Sequence, residues 1–258
     1  MSARVDVAST TNASDLGYLA LADVAAAAAD LANDEWRIIG GHMVQMLIHI
    51  YPTAIGRLRG TTDADAGVSP QIAASKHFHD RLRDRNYEDE CGNRYIREHP
   101  NGELAVDILV PDTAEPGIRE LGGRGFDQVP GLSLALAAPA LRIAACVRLT
   151  NGTYLDFHIQ VPDVEAAVVL KALAWRSRCA DKDLTDLASL FEIVDAHRDD
   201  LCGWSMHRTS LMGTRLDAAR ALGQLLVILD RGKVSRGTLL GLPPARLAAL
   251  IRKHVSRP

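Results

Sequence analysis

Aromatic residues are scarce, at 5% of the 258 positions. That shortage argues against a single-strand binder built from many stacking platforms, which needs several exposed rings for bases to lie on. Contact through phosphates stays open. Cysteine is thin as well: Cys91, Cys146, Cys179 and Cys202 lie far apart with no C-x-x-C pair, which fits a reduced, cytoplasmic setting. No apolar run approaches the roughly 20 residues that span a bilayer, so no membrane anchor is expected. The alanine-rich stretch 24–29 is bracketed by Asp23 and Asp30 and reads as helix, not as a signal core. Acidic residues are nearly missing from 208–258, which holds 10 basic and 2 acidic side chains against 19 and 30 in 1–207. Two readings of that basic tail stand: a surface that meets a polyanion, or a positive helical face docking on an acidic body.

What is present suits a folded protein. Hydrophobic residues make up 47% and charged ones 24%, the balance of a soluble globular chain. The length predicts an α/β catalytic body over 1–162 and a smaller helical region over 163–258. A helix is expected at 14–33, capped at Ser14-Asp15, then a strand at 35–39 running into Gly40-Gly41 and a helix at 42–50. After a connection at 51–59, a strand is expected at 62–68 and a helix at 70–85 with a basic face of Lys76, Arg81, Arg83 and Arg85. A hairpin follows across 94–110, turning at His99-Pro100-Asn101-Gly102. The Pro- and Gly-rich 111–131 reads as a long loop. Two strands, 142–149 and 154–160, flank Asn151-Gly152, and helices are expected at 164–178, 182–197, 214–230 and 244–255.

The candidate chemistry begins with Asp63-Ala64-Asp65. Positions i and i+2 of a strand share a side, so the two carboxylates would project together while Ala64, Ala66 and Val68 face the core. Such a pair suits magnesium, which takes one or two carboxylates plus phosphate oxygens. On its own an Asp-x-Asp is an ordinary strand-end motif. Asp107 is the only charge between 104 and 110, and an unpaired carboxylate on such a strand is costly. Sharing a metal with Asp63 and Asp65 would remove the cost and let Asp107 help activate a hydroxyl; a nearby arginine or solvent would remove it equally. Gly40-Gly41 opens a helix, where bare N–H groups can approach phosphate. Lys171 is the only charge between 166 and 175. Its anionic partner is expected to be a triphosphate or, by the plainer reading, a carboxylate. Asp183 and Asp186, in Lys182-Asp183-Leu184-Thr185-Asp186, lie one turn apart on one helix face. His77 and His79 point apart on a helix and do not suit zinc, and no nucleophile sits in an elbow motif.

Taken in order, Gly40-Gly41, Asp63-x-Asp65, Asp107, Lys171 and Lys182-Asp183-x-x-Asp186 resemble the AbiEii/AbiGii family of nucleotidyltransferase toxins. The most specific stretches are Arg59-Gly60-Thr61-Thr62-Asp63-Ala64-Asp65 and the block from Lys171 to Asp186. The resemblance implies an α/β (α+β) protein with the DNA polymerase β-like nucleotidyltransferase fold, a mixed sheet flanked by helices, with a helical C-terminal region. It implies an enzyme that transfers NMP from an NTP with Mg2+ or Mn2+, with Asp63, Asp65 and Asp107 holding metal. Gly40, Gly41, Arg59, Thr62, Lys171 and Lys182 would bind nucleotide, and Lys171 with Asp183 or Asp186 would complete the site. The implied acceptor is a tRNA 3′ end, and the implied setting a type IV toxin–antitoxin system with a cognate antitoxin; the resemblance does not reach 208–258, and its charge alone suggests that it holds the acceptor. Transfer to a protein or a small molecule, or a non-catalytic nucleotide- or partner-binding module, are the rival readings. Two departures from the family pattern are the glycine at 41, where serine is usual, and the long interval from Gly41 to Asp63.

Overall fold

The first strand, β1 (Ser2–Ala8), alternates exposed and buried positions and places Val5 and Val7 inside. A computed structural model of the chain describes residues 2–54, 59–201 and 203–257. Helix α1 (Asn12–Ala27) follows, with Thr11 as its N-cap: the Thr11 hydroxyl accepts from the Ser14 amide. The cap therefore falls three residues before the expected Ser14. Asp15, expected in the cap, is instead buried and accepts the Thr150 amide and hydroxyl. The helix also stops at Ala27, short of 33. Next come β2 (Trp36–Ile38), α2 (Gly40–Ile50) and β3 (Asp63–Val68). Of the connection expected at 51–59, residues 55–58 lie outside those described, as does Cys202.

The single helix expected at 70–85 is two, α3 (Pro70–Ala74) and α4 (His77–Arg83), because Lys76 between them takes a left-handed conformation with φ of 61°. Its basic face is engaged at home: Arg81 pairs with Asp30, Arg85 with Asp23 and Arg83 with Asp89. Strands β4 (Glu88–Cys91), β5 (Arg94–His99) and β6 (Gly102–Pro111) are a meander whose second turn is the expected one. The stretch 111–131 is not one long loop. It holds β7 (Ile118–Leu121) and β8 (Arg124–Val129), joined by Gly122-Gly123 with φ of 59° and 77°. Positive φ at both central residues is what a tight type I′ hairpin needs, and a glycine pair supplies it. A short α5 (Leu132–Ala137) completes this part before β9 (Leu141–Arg148) and β10 (Tyr154–Val161). Four helices follow: α6 (Val164–Arg178), α7 (Asp181–Ala196), α8 (Gly213–Asp230) and α9 (Pro244–His254).

The chain is an α/β (α+β) protein with mixed sheets flanked by helices. It divides into two compact units, Met1–Met46 with Arg59–Pro162, and Leu47–Leu58 with Asp163–Pro258. The split after 162 is where the composition changes, but 47–58 groups with the helices. In the first unit the larger sheet runs β2-β3-β6-β5-β4, with β8 and β7 continuing from the end of β6. β3 and β6 are parallel and the other neighbours along the main path antiparallel. The smaller sheet runs β1-β9-β10. Helix α1 packs on β3 and β6 and also on β10. Two sheets bear on it, which is why it is buried on more than one side and rich in alanine: small side chains let both approach. On the opposite side of β3, Leu132 of α5 fills the space over Gly67.

In the second unit α6 packs on α7 and α8, and α9 on α7 and α8. The core is apolar, from Val168, Leu187, Leu190, Phe191, Leu222, Leu225 and Leu247.

Arg37 of β2 is buried yet cationic. Its guanidinium donates to the carbonyls of Trp36 at 2.8 Å, Leu136 at 3.0 Å and Ala138 at 2.9 Å, and to that of Asn33. It thereby satisfies carbonyls at the end of α5, where no further helical turn can do so. We expect Arg37→Met to lower stability by about 2–4 kcal/mol, since each hydrogen bond from a charged donor is worth about 1.5–3 kcal/mol and the freed carbonyls stay buried. Urea unfolding followed by circular dichroism measures it; an unchanged midpoint would show that Arg37 does not hold this corner.

Candidate active site

The parallel register of β3 and β6 decides where the acidic residues meet. Asp63 lies opposite Ala105 and Asp65 opposite Asp107. Ala64, Ala66 and Val68 are fully buried on the other face beside Val106 and Ile108, so Asp63, Asp65 and Asp107 share one face of the sheet. Thr62, exposed, donates its hydroxyl to Asp63 Oδ1 at 2.7 Å.

Asp107 is not unpaired. Arg94, opposite it across the β5–β6 hairpin, donates from Nη1 to Asp107 Oδ2 at 2.8 Å. Of the two kinds of partner expected for Asp107, the arginine is present, and a shared metal is not required to offset its burial. The hairpin turn at 99–102 already implied this pairing, because counting back from it sets 94 against 107. One arginine does not cancel the effect of the others: burial pushes the Asp107 carboxyl up to about 6, Arg94 opposes this, and Asp65, Asp63 and Asp127 add to it.

The start of α2 closes over this face. Gly40 has φ of +66°, and a Cβ there would stand 1.8 Å from Asp65 Oδ2. Only glycine suits both the backbone and the space. The Ile39 amide donates to the Asp65 carbonyl at 3.0 Å, so α2 starts from the β3 backbone itself. A Cβ on Gly41 would meet Thr61 Oγ1 at 2.3 Å and Arg59 Nη2 at 2.8 Å. The Thr61 hydroxyl occupies the space that a side chain at position 41 would enter, with the Arg59 guanidinium beside it.

This loop is tied from behind. Gln45 donates its amide to the Arg59 carbonyl and, at 3.5 Å, to Thr61 Oγ1, while its oxygen accepts from the Tyr18 hydroxyl at 3.3 Å. Arg59 also donates to Thr61 Oγ1 at 3.4 Å. Next along α2, His42 is fully buried and neither ring nitrogen closes a hydrogen bond of normal geometry. Burial holds it down to about 4, and nearby Gln45 and the Gly17 backbone soften that shift. Its ring is neutral near pH 7. Gln45 and His42 carried no sequence signal of their own.

The residues of the second unit make a different arrangement. Lys171 pairs with Asp186 at 2.7 Å and Asp183 at 3.4 Å, and all three side chains are at most 4% exposed. Arg178 adds contacts to Asp183 at 2.6 and 2.7 Å. Burial raises the Asp183 carboxyl, but Arg178 and Lys171 outweigh it and hold the group below the usual range. The anionic partner that burial demands of Lys171 is this pair of carboxylates, and a triphosphate is not needed for it. Lys182, on the first turn of α7, is exposed.

Among the described residues, no three histidine, cysteine or carboxylate groups are gathered closely enough to cage a metal ion. Magnesium does not ask for that, since one or two carboxylates suffice when phosphate oxygens and water complete the shell. Asp63 and Asp65, hard oxygen donors on one face, fit such a partial site.

No family model matches the chain, and no curated protein matches it. Among solved structures it is similar to the solution structure of the antibiotic-resistance factor ANT(2'')-Ia, at 10% identity and a TM-score of 0.40, over 86% of this chain and 98% of that one. At that distance nothing follows for substrate or residue roles. No helix among the described residues is long and apolar enough to cross a membrane.

Two outcomes test this geometry. A carboxyl whose pKa is raised by folding favours the fold fully below its unfolded value of 3.8, and that contribution is lost as pH rises through about 6, on the order of 3 kcal/mol. In chelator-treated protein, the stability of Asp107→Asn relative to wild type should therefore move in the variant's favour between pH 4 and pH 7 (roughly the window set by the shift). A constant difference would contradict the crowding of Asp107. Separately, Lys171→Met should cost about 3–5 kcal/mol, because two buried carboxylates lose their cation; a loss under about 1 kcal/mol, the level of a surface pair, would show that the network is not structural.

Proposed function

We propose that the chain is a nucleotidyltransferase of the DNA polymerase β-like fold that transfers NMP from an NTP to an acceptor hydroxyl. The observation that carries this is the β3–β6 register, which sets Asp65 against Asp107 with Asp63 on the same face, directly under the glycine start of α2. Magnesium, bound with the nucleotide, would neutralise charge on the leaving pyrophosphate. Asp63 and Asp65 would hold it. The N–H groups of the first turn of α2 and the Arg59 guanidinium face the phosphates, and Thr61 and Thr62 border them. Asp107, with its pKa raised toward neutrality, receives the acceptor proton. Lys171, Asp183 and Asp186 bind α6 to α7.

For the acceptor we infer an RNA 3′ hydroxyl, with tRNA first, in a toxin of the AbiEii type. The support is the motif order and the cations of 208–258. Five of those cations are engaged in ion pairs among the described residues: Arg215 with Glu165, Arg220 with Asp217, Arg246 with Glu192 and Asp195, Arg252 with Asp230, and Lys253 with Asp195. This favours the docking reading for half of the tail and leaves Arg208, Arg231, Lys233, Arg236 and Arg257 to meet RNA.

Incubation with each labelled NTP, magnesium and total tRNA tests the reading. Label should enter RNA, vanish with chelator, and fall by at least about 100-fold in Asp63→Ala. Label on protein or on a small acceptor, with none on RNA, would overturn the RNA acceptor and keep the chemistry. Equal labelling by wild type and Asp63→Ala, or none in any reaction, would overturn the enzyme itself.

A further inference from the structure

The smaller sheet ends on β10, which among the described residues pairs with β9 alone. The direction of its backbone groups follows from the turn. The Leu149 amide donates to the Thr153 carbonyl at 2.8 Å, making that a hydrogen-bonded pair. Such pairs alternate along an antiparallel ladder, so Tyr154, Asp156, His158 and Gln160 turn their own N–H and C=O groups away from β9. At one end this edge is closed: Gln160 is buried, with its amide placed to donate to the Asn33 carbonyl at 3.1 Å and accept from Trp36 Nε1 at 3.2 Å. From 154 to 158 it is open. Tyr154 is 61% exposed, and Asp156 and His158 are exposed. A cavity of about 700 Å³ runs along it, between the small side chains of Ala22, Ala25 and Ala26 on α1 and those of Phe157 and Ile159. Natural edges are usually blunted by lysine, proline or a bulge. β10 has no lysine or proline and its register with β9 is unbroken.

We propose that a second copy of this chain pairs with β10 in antiparallel fashion about a two-fold axis at Phe157, joining the two smaller sheets into one. Charge selects the register. A two-fold ladder that uses the outward groups must be centred on a residue, and a centre at Leu155 runs it into the Asn151-Gly152 turn. A centre at Asp156 sets two carboxylates face to face, which is destabilising. A centre at His158 spends Asp156 on the closed Gln160. Centred at Phe157, each Asp156 lies opposite His158 of the partner subunit, in a hydrogen-bonded pair that occurs twice. On the other face Leu155 meets Ile159 of the partner subunit and Phe157 meets its own copy, which continues the apolar surface that α1 covers. The alanines of α1 leave room for those side chains. One strand pair with a shallow apolar margin is a small interface, and it fits a dimer that forms in the micromolar range.

Sedimentation of the full chain over a concentration series tests this. Wild type should show a monomer–dimer equilibrium. His158→Asp, which opposes like charges twice, should raise the dissociation constant by about tenfold. Exchanging the pair in the double variant Asp156→His, His158→Asp should restore it. Both positions are exposed, and the circular dichroism and melting of each variant verify its fold. Wild type that stays monomeric up to its solubility limit would overturn the proposal, as would a dimer indifferent to His158→Asp or one that the exchange does not restore.

Discussion

The parallel pairing of β3 with β6 sets the terms for the rest of the first unit. It fixes the core on one face, where alanine and valine interlock, and by the same register it forces Asp65 against Asp107 on the other. A sheet cannot separate those two outcomes, since its period of two assigns both at once. What surrounds the acidic face reads as a response to it. Arg94 comes from the neighbouring strand, the positive end of α2 is laid across Asp65, and Arg59 stands at the first turn of that helix. Each favours negative charge, and together they leave Asp107 still raised by its burial.

The second unit solves a charge problem differently. Lys171 faces inward from the otherwise apolar stretch 166–175 of α6, and the two helices α6 and α7 meet around its ammonium. Glu165 plays a matching part near the start of α6, accepting from the Ser205 and Met206 amides and from Arg215. Asp195 accepts from Arg246, Lys253 and His254, which draw α9 onto α7, and it is held well below the usual carboxylate range as a result. Summed charge over 208–258 does not distinguish them, whereas four of these cations, Arg215, Arg246, Arg252 and Lys253, tie one helix to another and Arg220 pairs within α8. A regional excess of one sign says little about what meets solvent until the pairs are known.

Much of this was legible in the sequence where periodicity or turn chemistry was strong. The strand at Asp63, the hairpin turning at His99 to Gly102 and the four C-terminal helices follow from alternation, turn residues and helical spacing. β1 escaped because Asp6 and the small residues around it dilute a short alternation that finds its partner only at β9, far along the chain. β4, written Glu-Asp-Glu-Cys, has the composition of a loop and is a strand because β5 pairs with it. Glycine and proline in 111–131 suggest irregularity, although Gly122-Gly123 is a hairpin signal of its own. At the site, the carboxylates were legible and most of their company was not: the hairpin turn sets Arg94 against Asp107, but Thr61 and Gln45 become neighbours through packing, which a single line of letters does not display.

The relation between Gly41 and Thr61 reaches beyond this one chain. The hydroxyl of Thr61 sits where a side chain on residue 41 would begin, so the two positions divide a single volume between them. Among related proteins they should drift as a couple, a serine at the first accompanied by a smaller residue at the second. Position 41 read alone shows a bare helix start, yet the Thr61 hydroxyl stands in that very space, so the two residues furnish it as one unit.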